Sequence, residues 1–217
     1  MKRVLLKLRG FTLVELLVVI SIITILAGLT LSTVSYAQNK AARDLAKAEI
    51  AGLEVGLESY KADNGDYPRS SNPPGYDDNA AEALDAANNP GDPGSTGSPN
   101  ATYAKATRAL YIGLSGDTNL DGNVTVAGDS TDGTTKPKVY FNFKPNMLYP
   151  RMPSGSTRAA NSIQAVIDPF YFPYGYSTLG SKVVTTGSQA GGYNPTFDLW
   201  STGGNHPGDQ KTWITNW

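Results

Sequence analysis

The residues best placed to do chemistry lie at the start of the chain. Residues 1–10 carry four cations (Lys2, Arg3, Lys7 and Arg9) and no acid, and they end at Gly10, where an apolar run opens with Phe11. One carboxylate, Glu15, sits inside that run, which is otherwise uncharged as far as Val34. An ionised carboxylate in lipid costs roughly a few kcal/mol unless it has a partner, so Glu15 calls for one. Phe11–Val34 exceeds the span of about 20 residues that a membrane helix needs. A secretory signal carries its small-residue cleavage site after the apolar stretch; here the glycine precedes it, and no A-x-A site follows. The cations keep residues 1–10 cytoplasmic and send the remainder across the membrane.

The stretch Arg9-Gly10-Phe11-Thr12-Leu13-Val14-Glu15-Leu16-Leu17-Val18-Val19-Ile20 resembles the processing motif of type IV pilins and type II secretion pseudopilins. The resemblance implies that a prepilin peptidase cuts after Gly10, that the exposed amine of Phe11 is N-methylated, and that the mature subunit assembles into a helical filament. Its implied partners are the prepilin peptidase/N-methyltransferase, copies of itself, other pseudopilins and the inner-membrane assembly platform. Gly10 suits the cut because a residue without a side chain lets a protease approach the peptide bond closely. The new amine would lie about 6 Å along the helix axis from Glu15. Either charge alone is costly in lipid, so an incoming amine and a neighbour's Glu15 can pair and set register during assembly. The plainer alternative is a Glu15 that snorkels to the headgroups. The family often places a proline about twenty residues into the mature helix; Ser32 stands there, and Gly28, Thr30, Ser32 and Thr33 could loosen the helix only by a weaker route.

Two loops have oxygen donors at metal-ligand spacing. Asp117, Asn119 and Asp121, followed by Gly122, place donors at alternate positions before a sharp turn, as the opening of an EF-hand calcium loop does. The twelfth position is Gly128, with Asp129 one residue later. The second loop lies between Phe197-Asp198-Leu199-Trp200-Ser201 and Ile214-Thr215-Asn216-Trp217, phrases that resemble the C-terminus of the major pseudopilin. The resemblance implies a calcium site that uses backbone carbonyl, serine and acidic oxygens. Leu199 and Ser201 match, but the acidic pair before the final Ile is replaced by Asp209-Gln210-Lys211-Thr212-Trp213. Calcium takes about six oxygens, several of them anionic.

The elements that must carry these residues follow from patterning. Residues 35–62 are Ala-rich and free of proline, good helix material. Ala46, Ile50, Leu53, Leu57 and Tyr60 form one apolar stripe that should bury against a head domain; Arg43, Lys47, Glu54 and Glu58 face elsewhere. The helix should stop at Asp63-Asn64-Gly65-Asp66-Tyr67-Pro68, a phrase that resembles the helix exit of the major pseudopilin. Beyond it lie a breaker-rich loop over 69–100 with a short helix near Ala80–Ala87, and a second helix near Ala101–Ile112. Strands are predicted at Val139–Phe143, Ala165–Ile167, Tyr174–Thr178, Lys182–Thr185 and Phe197–Ser201. Asp168-Pro169-Phe170-Tyr171-Phe172-Pro173-Tyr174 resembles a pseudopilin segment in which Gly-Asn stands at Tyr171-Phe172; the residues themselves require only an aromatic hairpin. The expected fold is α+β and pilin-like, with a long N-terminal helix packed on a small antiparallel sheet. Its parts are a leader at 1–10, a transmembrane helix at 11–34, a stalk at 35–62 and a periplasmic head at 63–217.

Composition narrows the function. The chain has no Cys, which excludes disulfides and thiolate chemistry. Without residues 1–10 it keeps 14 of its 18 cations against 19 acids, the wrong balance for nucleic acid. His206 is the sole histidine, too few for a multi-His zinc site or a Ser-His-Asp triad alongside other uses. The reading is a non-enzymatic pseudopilus subunit, anchored in the inner membrane with its head in the periplasm. The alternatives are a type IV pilin for adhesion, motility or DNA uptake, and a membrane-anchored carbohydrate-binding or enzymatic module.

Overall fold

The computed structural model describes residues 10–70, 79–130, 133–153, 155–182, 191–205 and 210–217. Two compact units divide the chain, one ending at Ala41 and the other spanning Ala42–Trp217. Helix α1, Leu13–Asn64, contributes to both and is continuous through Gly28 and Ser32. In the first unit its apolar side chains are bare: Leu13, Leu17, Ile20, Ile23 and Leu26 are all more than half exposed. Its most apolar 18-residue window has a mean hydropathy of 2.5 and is wholly unburied, so α1 is long and apolar enough to cross a membrane. Ser21 and Thr24 donate to the carbonyls of Leu17 and Ile20, which satisfies their hydroxyls within the helix itself.

In the second unit the expected stripe packs as patterned. Ala46, Ile50, Leu53 and Leu57 are buried, and Tyr60 packs against the same core. The helix ends where the left-handed Gly65 (φ 84°) returns its N–H to the Lys61 carbonyl at 2.7 Å. Next come β1 (Gly94–Ser95) and β2 (Ser98–Pro99), a minimal hairpin. Helix α2 (Ala101–Ser115) is capped by Asn100 Oδ1, which accepts from Thr102 N at 2.9 Å. The single turn α3 (Val126–Asp129), the pair β3 (Leu148–Tyr149) and β4 (Ala165–Val166), and the antiparallel sheet β5 (Gly175–Ser177), β6 (Asp198–Ser201) and β7 (Ile214–Thr215) complete the head. α2 packs on β4 and β5 and shares the core with the α1 stripe. A long N-terminal helix with small antiparallel sheets is the expected α+β, pilin-like arrangement.

Three expectations are corrected. Val139–Phe143 forms no strand: the Tyr140 and Phe141 amides both donate to the Leu114 carbonyl at the end of α2. The Phe141 side chain lies against Gly52, through its ring, and Gly56, through its Cβ, and the missing glycine side chains leave it room on α1. The β-favouring residues there are satisfied by packing and need no ladder. The helix expected at Ala80–Ala87 is a 3-10 turn, Ala80–Glu82. Asp85 Oδ1 accepts from the Ala87 and Asn88 amides, an Asx turn that competes with helix. Lys182 closes a 3-10 turn by donating to the Leu179 carbonyl, and the rest of that expected strand lies outside the described residues.

Candidate functional site

Gly10 and Phe11 are exposed and precede the helix. Among the described residues nothing lies within 4 Å of where a Cβ on Gly10 would stand, so none of them requires glycine there. One turn on, Thr12 and Glu15 close a capping box. Thr12 N and Thr12 Oγ1 both donate to Glu15 Oε2 at 2.8 Å, and Glu15 N donates to Thr12 Oγ1 at 3.2 Å. Both bonds to the carboxylate fall on Oε2, leaving Oε1 outside the box. Thr12 is therefore a site residue that reasoning about charge alone passes over; its signal was the Thr-x-x-Glu spacing.

Around Asp117 the loop is held by hydrogen bonds from its own amides to its side-chain oxygens. Asp117 Oδ2 accepts from Gly122 N at 2.7 Å and from the Tyr111 hydroxyl at 2.6 Å, and Gly122 is left-handed (φ 87°). Asn119 Oδ1 accepts from Asp121 N, and Asp121 Oδ1 from Asn123 N. Asp129 is buried and closes the loop differently: Oδ1 accepts from the Thr118 and Asn119 amides and Oδ2 from Thr125 N. Burial pushes the Asp117 carboxyl upward, opposed by its hydrogen bonds to Tyr111 and Gly122 and reinforced by the charge of Asp129. Among the described residues no three His, Cys, Asp or Glu side chains gather as a metal cluster.

The C-terminal donors are committed elsewhere. Leu199 O accepts from Asn216 N, and Ser201 Oγ donates to Asp168 Oδ2 at 2.5 Å while accepting from Gly203 N at 3.0 Å. Asp209, like His206, lies outside the described residues. The loop brings a cation instead: Arg43 Nη2 of α1 donates to the Thr212 carbonyl at 2.6 Å. Leu199 O and Ser201 Oγ are thus each engaged by groups of the chain itself.

Beneath it lies a pair of acids that the sequence reading did not single out. Asp168 is buried; Oδ1 accepts from the Phe170 and Phe172 amides. Glu49, 6 % exposed, accepts the Tyr174 hydroxyl on Oε2 at 2.6 Å, and its Oε1 is buried without a hydrogen bond among the described residues. Burial raises both carboxyls, Asp168 to about 6. Glu49 follows Ala46 by three residues, so an acid on the apolar face was there to be noticed. Tyr171, where the resembled segment has glycine, is left-handed (φ 72°) and carries Arg151 3.7 Å above its ring.

Comparison with known proteins singles out the N-terminal region. Residues 7–31 match the prokaryotic N-terminal methylation motif. The chain is 43 % identical over 65 residues to type II secretion system core protein G of Escherichia coli (strain K12), which is 30 % of this chain and 45 % of that protein. It is 45 % identical over 60 residues to the protein of the same name from Pectobacterium carotovorum subsp. carotovorum, covering 28 % and 38 %. With the Pseudomonas aeruginosa protein of that name it shares 41 % identity over 59 residues, covering 27 % and 42 %. The match spans less than half the length of these relatives. No solved structure matches the chain.

Proposed function

We propose that this chain is a structural subunit of a type II secretion pseudopilus, and that its work is mechanical. The observation that carries the reading is the N-terminus. A prepilin-type methylation motif leads into a bare apolar stretch, Phe11–Val34, whose one charge is capped one turn from Phe11. Similarity to core protein G favours secretion over a surface pilus. In this reading prepilin peptidase removes residues 1–10 on the cytoplasmic side and Phe11 is N-methylated. The helix anchors the subunit in the inner membrane with its head in the periplasm, and assembly recruits other pseudopilins and the inner-membrane platform. That none of the described residues requires a glycine at position 10 supports this, because it fits a requirement imposed by a peptidase. Glu15 Oε1, outside the capping box, is the atom offered to a neighbour's Phe11 amine.

Mass spectrometry of the mature N-terminus tests the processing step. A methylated Phe11 is expected, and an intact Met1 would overturn the reading. Glu15→Ala is expected to insert and be cleaved yet form no filaments; normal filaments would sink the pairing role.

A second, separate proposal is a calcium ion at Asp117, Asn119 and Asp121. What favours it is the Gly122-to-Asp117 hydrogen bond across a left-handed glycine, the turn such loops use. Asp129 closes the loop by accepting from the Thr118 and Thr125 amides.

A further inference from the structure

We infer that the Arg43 guanidinium is the cation that ties Gly203 and Thr212 of the C-terminal loop to α1, and that this tie holds without metal. Three observations converge. Arg43 Nη2 donates to the Thr212 carbonyl at 2.6 Å, joining residues 169 positions apart. Gly203 is left-handed (φ 64°), and a Cβ there would run into Arg43 Nη1 and also approach the Thr212 carbonyl. The glycine thus leaves a cradle that the guanidinium fills. Among the described residues, further hydrogen bonds of the loop lie beside that contact. Asn205 N donates to the Thr202 carbonyl, Asn205 Nδ2 to Thr212 Oγ1, and Gly203 N to Ser201 Oγ.

The charges point the same way. Between Thr202 and Thr215 the sequence offers one acid, Asp209, against Lys211 within the loop and Arg43 beside it. A divalent cation in that neighbourhood meets two like charges, and the described carboxylate at the loop, Asp168, is already engaged by Ser201 Oγ and by the Phe170 and Phe172 amides, whereas calcium takes several anionic oxygens. A guanidinium needs less, because its fixed fork of donors is satisfied by neutral carbonyls and is always charged. Ser201 Oγ, whose lone pairs the metal would need, already accepts from Gly203 N while donating to Asp168 Oδ2. The fold thus keeps a cation at this loop but supplies it from the stalk helix.

Hydrogen exchange of the full chain in detergent micelles, followed by mass spectrometry of peptides covering 198–217, tests this. In wild type, exchange of the loop should be the same in calcium and in EGTA. Arg43→Ala should speed loop exchange at least tenfold, leave α2 and β5 unchanged, and gain nothing from added calcium. Faster loop exchange of wild type in EGTA, rescue of Arg43→Ala by calcium, or loop exchange in Arg43→Ala within twofold of wild type would each overturn the inference. If Arg43→Ala does not fold, Arg43→Lys keeps the charge but loses the fork. It should exchange at least threefold faster than wild type in the loop, and unchanged exchange would refute the clamp.

Discussion

Thr12 and Glu15 hold each other in a reciprocal cap, with both Thr12 donors on Glu15 Oε2 and the Glu15 amide on Thr12 Oγ1. The carboxylate therefore has two separable duties, ordering the first turn and carrying charge. Glu15→Gln separates them, because glutamine also serves in a capping box but is neutral. If charge pairing drives assembly, Glu15→Gln should fail to form filaments as completely as Glu15→Ala. Thr12→Val removes the hydroxyl at a cost of about 1 kcal/mol of local helix stability. It should assemble less than wild type and more than either Glu15 variant. Electron microscopy of filaments, with cleavage of all three variants verified by mass, reads the order. Wild-type assembly by Glu15→Gln would assign the role to the cap.

The buried acids beneath the C-terminal loop make stability fall with rising pH. Asp168 sits at about 6, raised mainly by burial and further by the Glu49 charge, against hydrogen bonds from Ser201, Phe172 and Phe170. Its unfolded value is the ordinary 3.8. The folded state thus binds the proton more tightly, and the stabilisation present below pH 4 is lost as pH rises through about 6. A shift of this size corresponds to roughly 3 kcal/mol. Glu49, raised by burial, acts in the same direction. Asp168→Asn keeps an acceptor for the Phe170 and Phe172 amides and cannot ionise. Urea unfolding near pH 4 and near pH 7.5 should show a smaller drop in the variant than in wild type, and equal drops would remove Asp168 as the cause.

What could be read in advance was periodic or local. The Ala46–Leu57 stripe, the Gly65 exit and the positions of α2, β4, β5 and β6 follow from spacing and breakers, which act within a few residues. What escaped depends on partners distant in sequence. The Val139–Phe143 run has the composition of a strand, yet Gly52 and Gly56 on α1 give Phe141 a packing site in place of a ladder. Arg43 could be placed only off the apolar stripe, because its acceptor, the Thr212 carbonyl, is a backbone atom that no side-chain pattern announces. Asp168 and Glu49 meet only once the hairpin lies on the helix.

If calcium occupies the Asp117 loop, the exposed end of the donor set should be the sensitive one. Asp121→Asn keeps the acceptor that Asn123 N uses and removes one negative charge. It should weaken calcium binding at least tenfold, measured by isothermal titration, while leaving unfolding in EGTA unchanged. Asp129→Asn, in contrast, disturbs a carboxylate that accepts from three backbone amides, and should destabilise the loop even without calcium. Unfilled wild-type loops at millimolar calcium would withdraw the proposal and leave Asp117 and Asp129 as turn-builders alone.

Gly175 faces Trp200 across the β5–β6 ladder, and a Cβ there would overlap the indole. Trp200 has little freedom to retreat. It is fully buried, donates from Nε1 to the Tyr103 hydroxyl at 3.2 Å, meets the Tyr103 ring edge-on at 5.9 Å and lies parallel to Trp213 at 6.3 Å. Gly175 has no positive φ, so the cost of a side chain there is steric and not conformational. Gly175→Ala should destabilise the head by about 1–3 kcal/mol through overpacking. Trp200→Phe frees volume at the same point while opening a cavity of its own. The double variant should therefore lose less than the two singles combined, by at least about 0.5 kcal/mol, the level at which neighbouring sites depart from additivity. Strict additivity in urea unfolding would mean that the strand bends away and the indole does not yield.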